Sequence, residues 1–142
     1  EVELHLHPGW QQTVLPDLRR VFPEVQFIVS THSPHVIATV RPEQLRVIDW
    51  SGKEAQLIEV DFSEGAESGL ILDKILGVSS RPEEISIVRK LKKYQNLVEA
   101  GDWASEVAVE LKKELDAWGK GNDPEMDRLA MDVEIQKIDA DN

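Results

Sequence analysis

The chain begins with a strict alternation of apolar and polar residues. Val2, Leu4 and Leu6 are separated by polar side chains, and Pro8 and Gly9 then end the pattern. A period of two places the three apolar side chains on one face of an extended backbone. The segment is therefore predicted to be a strand end or an extended loop.

A helix and a buried strand are predicted to follow. Apolar residues recur at helical spacing over residues 10–21, and Pro23 ends that pattern. The β-branched run at 25–29 is typical of a central parallel strand, and residues 34–40 can form one or two helical turns. Strand, helix, strand is the order of a βαβ unit, so we expect an α/β fold with parallel strands.

Two further short strands are predicted to pair as a β-hairpin. Residues 44–50 and 54–60 each carry alternating apolar positions, and Ser51-Gly52-Lys53 lies between them. Glycine readily adopts the backbone conformations that tight turns require. The hairpin is therefore predicted to turn around Gly52.

The chain is predicted to divide into residues 1–62 and a helical C-terminal region, residues 63–142. Residues 62–68 are acidic and contain glycine, which is typical of a loop. Apolar stripes then predict helices over 70–76, 82–100, 102–118 and from 124 onward. Pro82 is expected in the first turn of its helix, and Asp102 and Asp123 at the starts of the next two.

The composition narrows the possible classes of protein. The 142 residues carry a net charge of −11, which disfavours direct binding to nucleic acid. The chain contains no cysteine, so disulfides, thiolate metal sites and cysteine nucleophiles are excluded. No run approaches the roughly 20 apolar residues that a membrane span requires. We expect a cytoplasmic protein that does not interact with a membrane.

The four histidines allow two interpretations. His5, His7, His32 and His35 lie near the ends of predicted strands and could, with a carboxylate, bind zinc as in a metal hydrolase. Their spacing is loose, however. His5, His7 and His35 are also the type of residue that makes local hydrogen bonds at loop ends.

Glu1 and His32 suggest a different chemistry. In open parallel sheets, ligands bind at the carboxyl ends of the strands, and both residues are predicted at such ends on neighbouring strands. A carboxylate there can orient an attacking water, and a histidine can contact a γ-phosphate as charge develops. The pair is therefore a candidate for phosphoryl-transfer chemistry.

The residues around this pair form a series of short motifs. They are Glu1-Val2-Glu3-Leu4-His5-Leu6-His7-Pro8, Trp10-Gln11, Phe22-Pro23, Gln26-Phe27-Ile28-Val29 and Thr31-His32-Ser33-Pro34. Over about residues 1–40, the chain resembles the Walker B to H-loop segment of ABC-type AAA ATPases of the RecF/SMC/OLD-like group. More narrowly, it is similar to the predicted ATP-binding proteins of bacterial antiviral defence, such as the PtuA-type ATPases of Septu and retron systems. Residues 81–85, 97–101 and 123–125 resemble the C-terminal helices of that family more weakly.

The resemblance implies a partial P-loop NTPase lobe of the α/β class, with parallel strands and a β-hairpin, followed by a helical C-terminal appendage. It assigns Glu1 as the catalytic carboxylate and His32 as the switch histidine that contacts the γ-phosphate of ATP. The D-loop, which touches the partner subunit in a head-to-head homodimer, would comprise Leu4, His5, Leu6, His7 and Pro8. ATP and Mg²⁺ are implied as cofactors of the parent protein, and no metal ligand is assigned in this chain.

Several parts of such an ATPase have no counterpart in this sequence. Neither a Gly-rich phosphate loop with its Lys, nor a Q-loop, nor a signature motif is present. The start at Glu1, inside an acidic motif, also indicates a fragment of a longer protein. The chain alone is therefore expected to be inactive and to need the rest of the ATPase domain.

The helical region permits a second hypothesis, in which the chain is not an enzyme. Residues 63–142 could form an interaction module that docks an effector protein such as a nuclease, with the α/β part as its scaffold. The apolar stripes of these helices could equally pack in a core rather than form a docking surface. Five large side chains are expected to pack in a core: Trp10, Trp103, Trp118, Met126 and Met131.

Overall fold

The computed structural model describes residues 1–50, 52 and 54–140. It divides into two units, Glu1–Ser80 and a second that begins at Arg81. Within the described residues, the first unit contains α1 (Pro8–Gln11), α2 (Val14–Val21), α3 (Pro34–Ile37), a single 3₁₀ turn (Pro42–Gln44), β1 (Val47–Asp49), β2 (Gln56–Ile58) and α4 (Ser68–Lys74). The second contains α5 (Ser86–Glu99), α6 (Glu106–Gly119) and α7 (Pro124–Ala140). The described chain is thus mixed α/β, as expected.

The boundary between the units lies at residues 80/81, whereas the change in sequence pattern lies at 62/63. The reason is the packing of α4. Ile71 of α4 and Ile75, directly after this helix, are buried in one cluster with Ile37 of α3. This contact places the first predicted helix after the loop in the same unit as the N-terminal residues.

The expected helix over residues 10–21 is divided into α1 and α2. Pro16 lies in the first turn of α2, where the lack of an N–H costs nothing. Further from the helix start, its ring would clash with the carbonyl of Gln12 and would remove a hydrogen bond. A single continuous helix through residue 12 is therefore disfavoured, and α2 starts at Val14.

The opening residues form turns, so the expectation of an extended segment at 2–7 is wrong. The Leu6 N–H donates to the Glu3 carbonyl over 2.9 Å, and His5 has a φ of 63°, in the left-handed region. Such a φ is incompatible with a regular strand. The apolar positions of the alternating pattern do not share one buried face, since Val2 packs on the core and Leu4 is exposed.

The run at 25–29 has no regular secondary structure and is not part of a sheet in the described residues. The Val2 N–H donates to the Ser30 carbonyl over 3.1 Å, just beyond the run. A strand needs a row of such bonds to a neighbour, and the described residues do not provide that row. Ile28 is accordingly 90% exposed, and the pairing of β1 with β2 in this unit is antiparallel rather than parallel.

The predicted hairpin is confirmed. β1 and β2 pair in antiparallel register, with Val47 opposite Ile58, Ile48 opposite Leu57 and Asp49 opposite Gln56. Two residues of the predicted turn, Ser51 and Lys53, lie outside the described residues.

The core of the second unit follows the predicted stripes. Leu91, Tyr94 and Val98 of α5, Ala108 and Leu115 of α6, and Leu129 and Val133 of α7 form one buried cluster. Trp103 and Met126 pack against it, as expected. Trp118 and Met131 are exposed, contrary to expectation, because Trp118 lies in the last turn of α6 and Met131 lies between the inward-facing Leu129 and Val133.

Two of the three helices in the described part of the second unit begin at residues other than those predicted. α5 begins at Ser86 rather than at Pro82, because a turn closed by Ile85 N–H and the Pro82 carbonyl precedes it. Ser105, not Asp102, caps α6, and its Oγ accepts the Ala108 N–H. Asp123 caps α7 as predicted and also makes a bidentate ion pair with Arg81, with N–O distances of 2.9 and 3.0 Å. In the described chain, none of the helices is both long enough and apolar enough to cross a bilayer.

Candidate functional site

The structure brings Glu1 and His32 together. The Glu1 Oε1 to His32 Nε2 distance is 4.0 Å, and the two side chains are 51% and 84% exposed. Glu1 lies just before the N-terminal turns, and His32 lies just before α3. Their contact therefore depends on the fold of the first unit. A carboxylate and an imidazole side by side at an accessible surface can both act on a water molecule or a bound phosphate.

Glu3 links the N-terminal turns to the residues around His32 more firmly than Glu1 does. Its Oε1 accepts the backbone N–H of His32 over 2.9 Å, and its Oε2 is buried. Burial raises the pKa of the Glu3 carboxyl, but hydrogen bonds from the backbone N–H groups of His32 and of Glu3 itself lower it, and the net pKa lies below the ordinary value. Glu3 is thus a carboxylate at neutral pH and acts as an acceptor.

A second set of hydrogen bonds fixes the residue after the histidine. Ser33 Oγ donates to Gln11 Oε1 over 2.6 Å and accepts the Val36 N–H, which caps α3. The Gln11 side-chain amide donates in turn to the Leu6 carbonyl over 2.9 Å. Residues 30–34 are therefore tied to the N-terminal segment on both sides of His32.

The D-loop-like residues separate into a tip and a base. Leu4 and His5 are exposed at the tip, where His5 adopts its left-handed conformation. At the base, Leu6 is half-buried, His7 Nδ1 accepts the Gly9 N–H over 3.2 Å, and Pro8 is the first residue of α1. The tip is thus free to contact another surface, while the base anchors the loop to α1.

The four histidines have separate surroundings. His35 Nδ1 lies 3.4 Å from Gln12 Nε2 and 3.2 Å from Ser68 Oγ, and His7 caps α1. Local hydrogen bonding is thus confirmed for His7, whereas the partners of His35 are 23 and 33 residues away in the chain. Among the residues that the structure describes, no group of three or more His, Asp or Glu side chains could hold a metal ion.

Trp10 lines an open apolar groove on α1 and α2, with a volume of about 350 Å³. Its ring is 65% exposed, so the expectation that it packs in a core is wrong. The lining consists of Leu6, Trp10, Thr13, Val14, Asp17, Leu18, Val21 and Phe22, and it includes neither Glu1 nor His32. The groove is therefore not part of the Glu1–His32 site.

Comparison with known proteins relates this chain to proteins named as probable ATPases. The chain is 35% identical over 135 residues to "Retron Ec83 probable ATPase" of Escherichia coli, which covers 94% of this chain and 24% of that protein. It is 38% identical over 118 residues to "Retron Vc95 probable ATPase" of Vibrio cholerae, which covers 80% and 22%. The chain is a homologue of retron ATPases.

A shorter match is consistent with the same relationship. "Septu protein PtuA" of Bacillus thuringiensis is 38% identical over 45 residues, which is 32% of this chain and 11% of that protein. No protein-family model matches the chain. The chain spans about a quarter of the length of the retron relatives, and this is consistent with the prediction that it is a portion of an ATPase.

The sequence patterns did not identify the residues whose hydrogen bonds hold the site together. Glu3, Gln11 and Ser33 carry its hydrogen bonds, and the sequence assigned none of these three a role in the site. Ser33 before Pro34 does carry a recognisable signal, since serine is favoured as a helix cap and proline in the first turn. For Glu3 and Gln11 the contacts are long-range, so local sequence offers no such signal.

Proposed function

We propose that this chain supplies the Walker B, D-loop and H-loop part of an ABC-type ATPase of bacterial antiviral defence. In that role Glu1 polarises the attacking water, and His32 contacts the γ-phosphate of ATP. The observation that carries the proposal is the approach of Glu1 Oε1 to His32 Nε2, 4.0 Å apart and accessible. The homology to proteins named as probable ATPases supports it.

The chemistry of these side chains fits the part of an ATP site where hydrolysis takes place. Glu1 can accept a proton from water, and His32 can donate a hydrogen bond to a terminal phosphate oxygen. Glu3 adds a second negative charge, so these residues alone would repel a triphosphate. The Lys and glycine loop that grip ATP must therefore come from the rest of the parent protein.

ATP would supply the phosphoryl group, and Mg²⁺ would neutralise charge on its oxygens when bound. The residues of this chain act on the water and on the terminal phosphate of ATP. Glu1 holds and deprotonates the water, and the His32 ring stabilises negative charge at the phosphate. The exposed tip at Leu4 and His5 contacts the second subunit of a head-to-head homodimer, and the parent works in the cytoplasm.

The test uses the full-length protein that contains this chain. Glu1→Gln removes the base but keeps the side-chain size, and we expect kcat for ATP hydrolysis to fall by about 100-fold or more. His32→Ala removes the phosphate contact, and we expect a loss of about 100-fold. Equilibrium binding of ATP should be retained in both variants.

Glu24→Gln is the matched control, because Glu24 is an exposed carboxylate in the same unit and lies in the turn after α2. It should hydrolyse ATP like the unsubstituted protein. If Glu1→Gln and His32→Ala both leave hydrolysis unchanged, the proposed function is wrong.

A second candidate function is supported by α7. Met131, Ile135 and Ile138 lie four and three residues apart, so they share one face of the helix, and each is more than half exposed. Such a face suits the docking of an effector protein, for instance a nuclease encoded beside the ATPase. In this case residues 63–142 bind the effector and the N-terminal residues serve as a scaffold.

The docking function predicts that the double substitution Met131→Asp and Ile135→Asp abolishes co-purification of the neighbouring effector with the full-length protein. Glu110→Gln, at an exposed position of α6, should leave co-purification unchanged. Full retention of the effector by the double variant would contradict this function.

A further inference from the structure

The backbone of His32 is held by the side chain of Glu3. Glu3 Oε1 accepts the His32 N–H over 2.9 Å. The other carboxylate oxygen, Oε2, is buried, so the side chain has little freedom to move. Hydrogen bonds to an ionised carboxylate are about twice as strong as neutral ones. This bond is therefore a firm tether between the N-terminal turns and the histidine.

The imidazole of His32 has few other constraints. It is 84% exposed, and the 4.0 Å distance to Glu1 is too long for a hydrogen bond. On its other side, the Ser33 to Gln11 bond fixes the next residue. Glu3 and Ser33 therefore fix the backbone from which the ring projects, and this limits the positions that the ring can reach.

We propose that Glu3 is a positioning residue, which orients His32 toward the terminal phosphate without touching the nucleotide. This inference rests on the proposed ATPase function and extends it to a residue that the function does not otherwise use. A displacement of about 1 Å at a reacting group can cost on the order of 100-fold in rate. Loss of the tether should therefore reduce turnover far more than nucleotide binding.

The decisive experiment is a double-mutant cycle in the full-length protein. Glu3→Ala is expected to lower kcat for ATP hydrolysis by about 10- to 100-fold, with KM for ATP near that of the unsubstituted protein. In the His32→Ala background, Glu3→Ala should cause no further loss, because a residue that acts through His32 has nothing left to orient. Equal losses in both backgrounds would overturn the positioning role.

Two variants of similar size separate positioning from a loss of folding. Glu3→Gln keeps an oxygen acceptor at the position of Oε1 and should restore most of the activity lost in Glu3→Ala. Glu3→Leu removes the acceptor and should be as slow as Glu3→Ala. If Glu3→Gln is as slow as Glu3→Leu while circular dichroism shows both folded, the His32 N–H bond is not what matters and the inference is wrong.

The same experiment distinguishes this inference from the function on which it rests. Unchanged hydrolysis in Glu1→Gln and His32→Ala would overturn the ATPase proposal itself. Loss of hydrolysis in those two variants, together with full activity in Glu3→Ala, would overturn only the positioning of His32.

Discussion

The two units of the chain bury their apolar residues in different ways. From Arg81 onward, three helices of 14 to 17 residues enclose one cluster that runs along all of them. In Glu1–Ser80, helices of four to eight residues and a short hairpin enclose two small clusters. Most of the exposed large apolar side chains also lie in this first unit. A helix can satisfy its own backbone, whereas an extended apolar segment needs a neighbouring strand.

The largest expected effect tests the single core of the helical unit. Leu115 is fully buried in α6, so Leu115→Ala should lower the free energy of unfolding by about 3 kcal/mol through lost burial and a cavity. Val109→Ala, on the exposed face of the same helix, should change it by less than about 0.5 kcal/mol. Urea unfolding followed by far-ultraviolet circular dichroism measures both. Similar losses for the two variants would show that the helices do not share one core.

A smaller effect is expected at Asp123, which joins the beginning of the helical unit to α7. Asp123→Ala removes both the cap and the Arg81 ion pair and should cost about 2 kcal/mol. Asp123→Asn keeps a capping oxygen and should cost about 1 kcal/mol.

The same carboxylate gives the unit a pH dependence. The Arg81 guanidinium and the N–H groups of Met126 and Glu125 hold the pKa of Asp123 below its ordinary value, although burial opposes this. Because the folded pKa is the lower one, the stabilisation is present above pH of about 4 and is lost as the pH falls through the folded pKa. The gap in stability between the parent chain and Asp123→Asn should narrow over that range. A gap independent of pH would contradict this ion pair.

The smallest expected effect is at Ile28, in the run at residues 25–29 of the first unit. Ile28 is 90% exposed, so Ile28→Thr in the 142-residue chain should change the free energy of unfolding by less than about 0.5 kcal/mol. The sequence pattern predicts that this run is a strand. If the rest of the full-length protein supplies its neighbouring strand, the same change there should cost about 2 kcal/mol. Equal effects in the two proteins would contradict the predicted strand.

The helices of the second unit were predicted well because the patterns that define them involve residues close together in the chain. Stripes such as Leu91, Tyr94 and Val98 repeat with the period of the helix, and Asp123 before Pro124 is a recognisable start. The cap of α6 was wrongly placed at Asp102, since both Asp102 and Ser105 satisfy the local preference. Local rules identify the helices more reliably than their first residues.

The candidate site was predictable only in part. Glu1 and His32 stand out because a carboxylate and a histidine near strand-like segments suit phosphate chemistry, and the structure places them 4.0 Å apart. The roles of Glu3 and Gln11 could not be read from spacing, because each depends on a partner brought close by folding.

The sequence by itself determined the apolar periods, the β-hairpin and the acidic surface, because each depends on residues close together in the chain or on composition alone. Only the tertiary structure decided that α4 packs with α3, that the opening residues turn, and that Glu3 holds the His32 backbone. For the packing of α4 on α3 and for the Glu3–His32 bond, the physical reason is the same. A hydrogen bond or an apolar contact between distant residues forms only after the intervening chain has folded, so no local pattern encodes it.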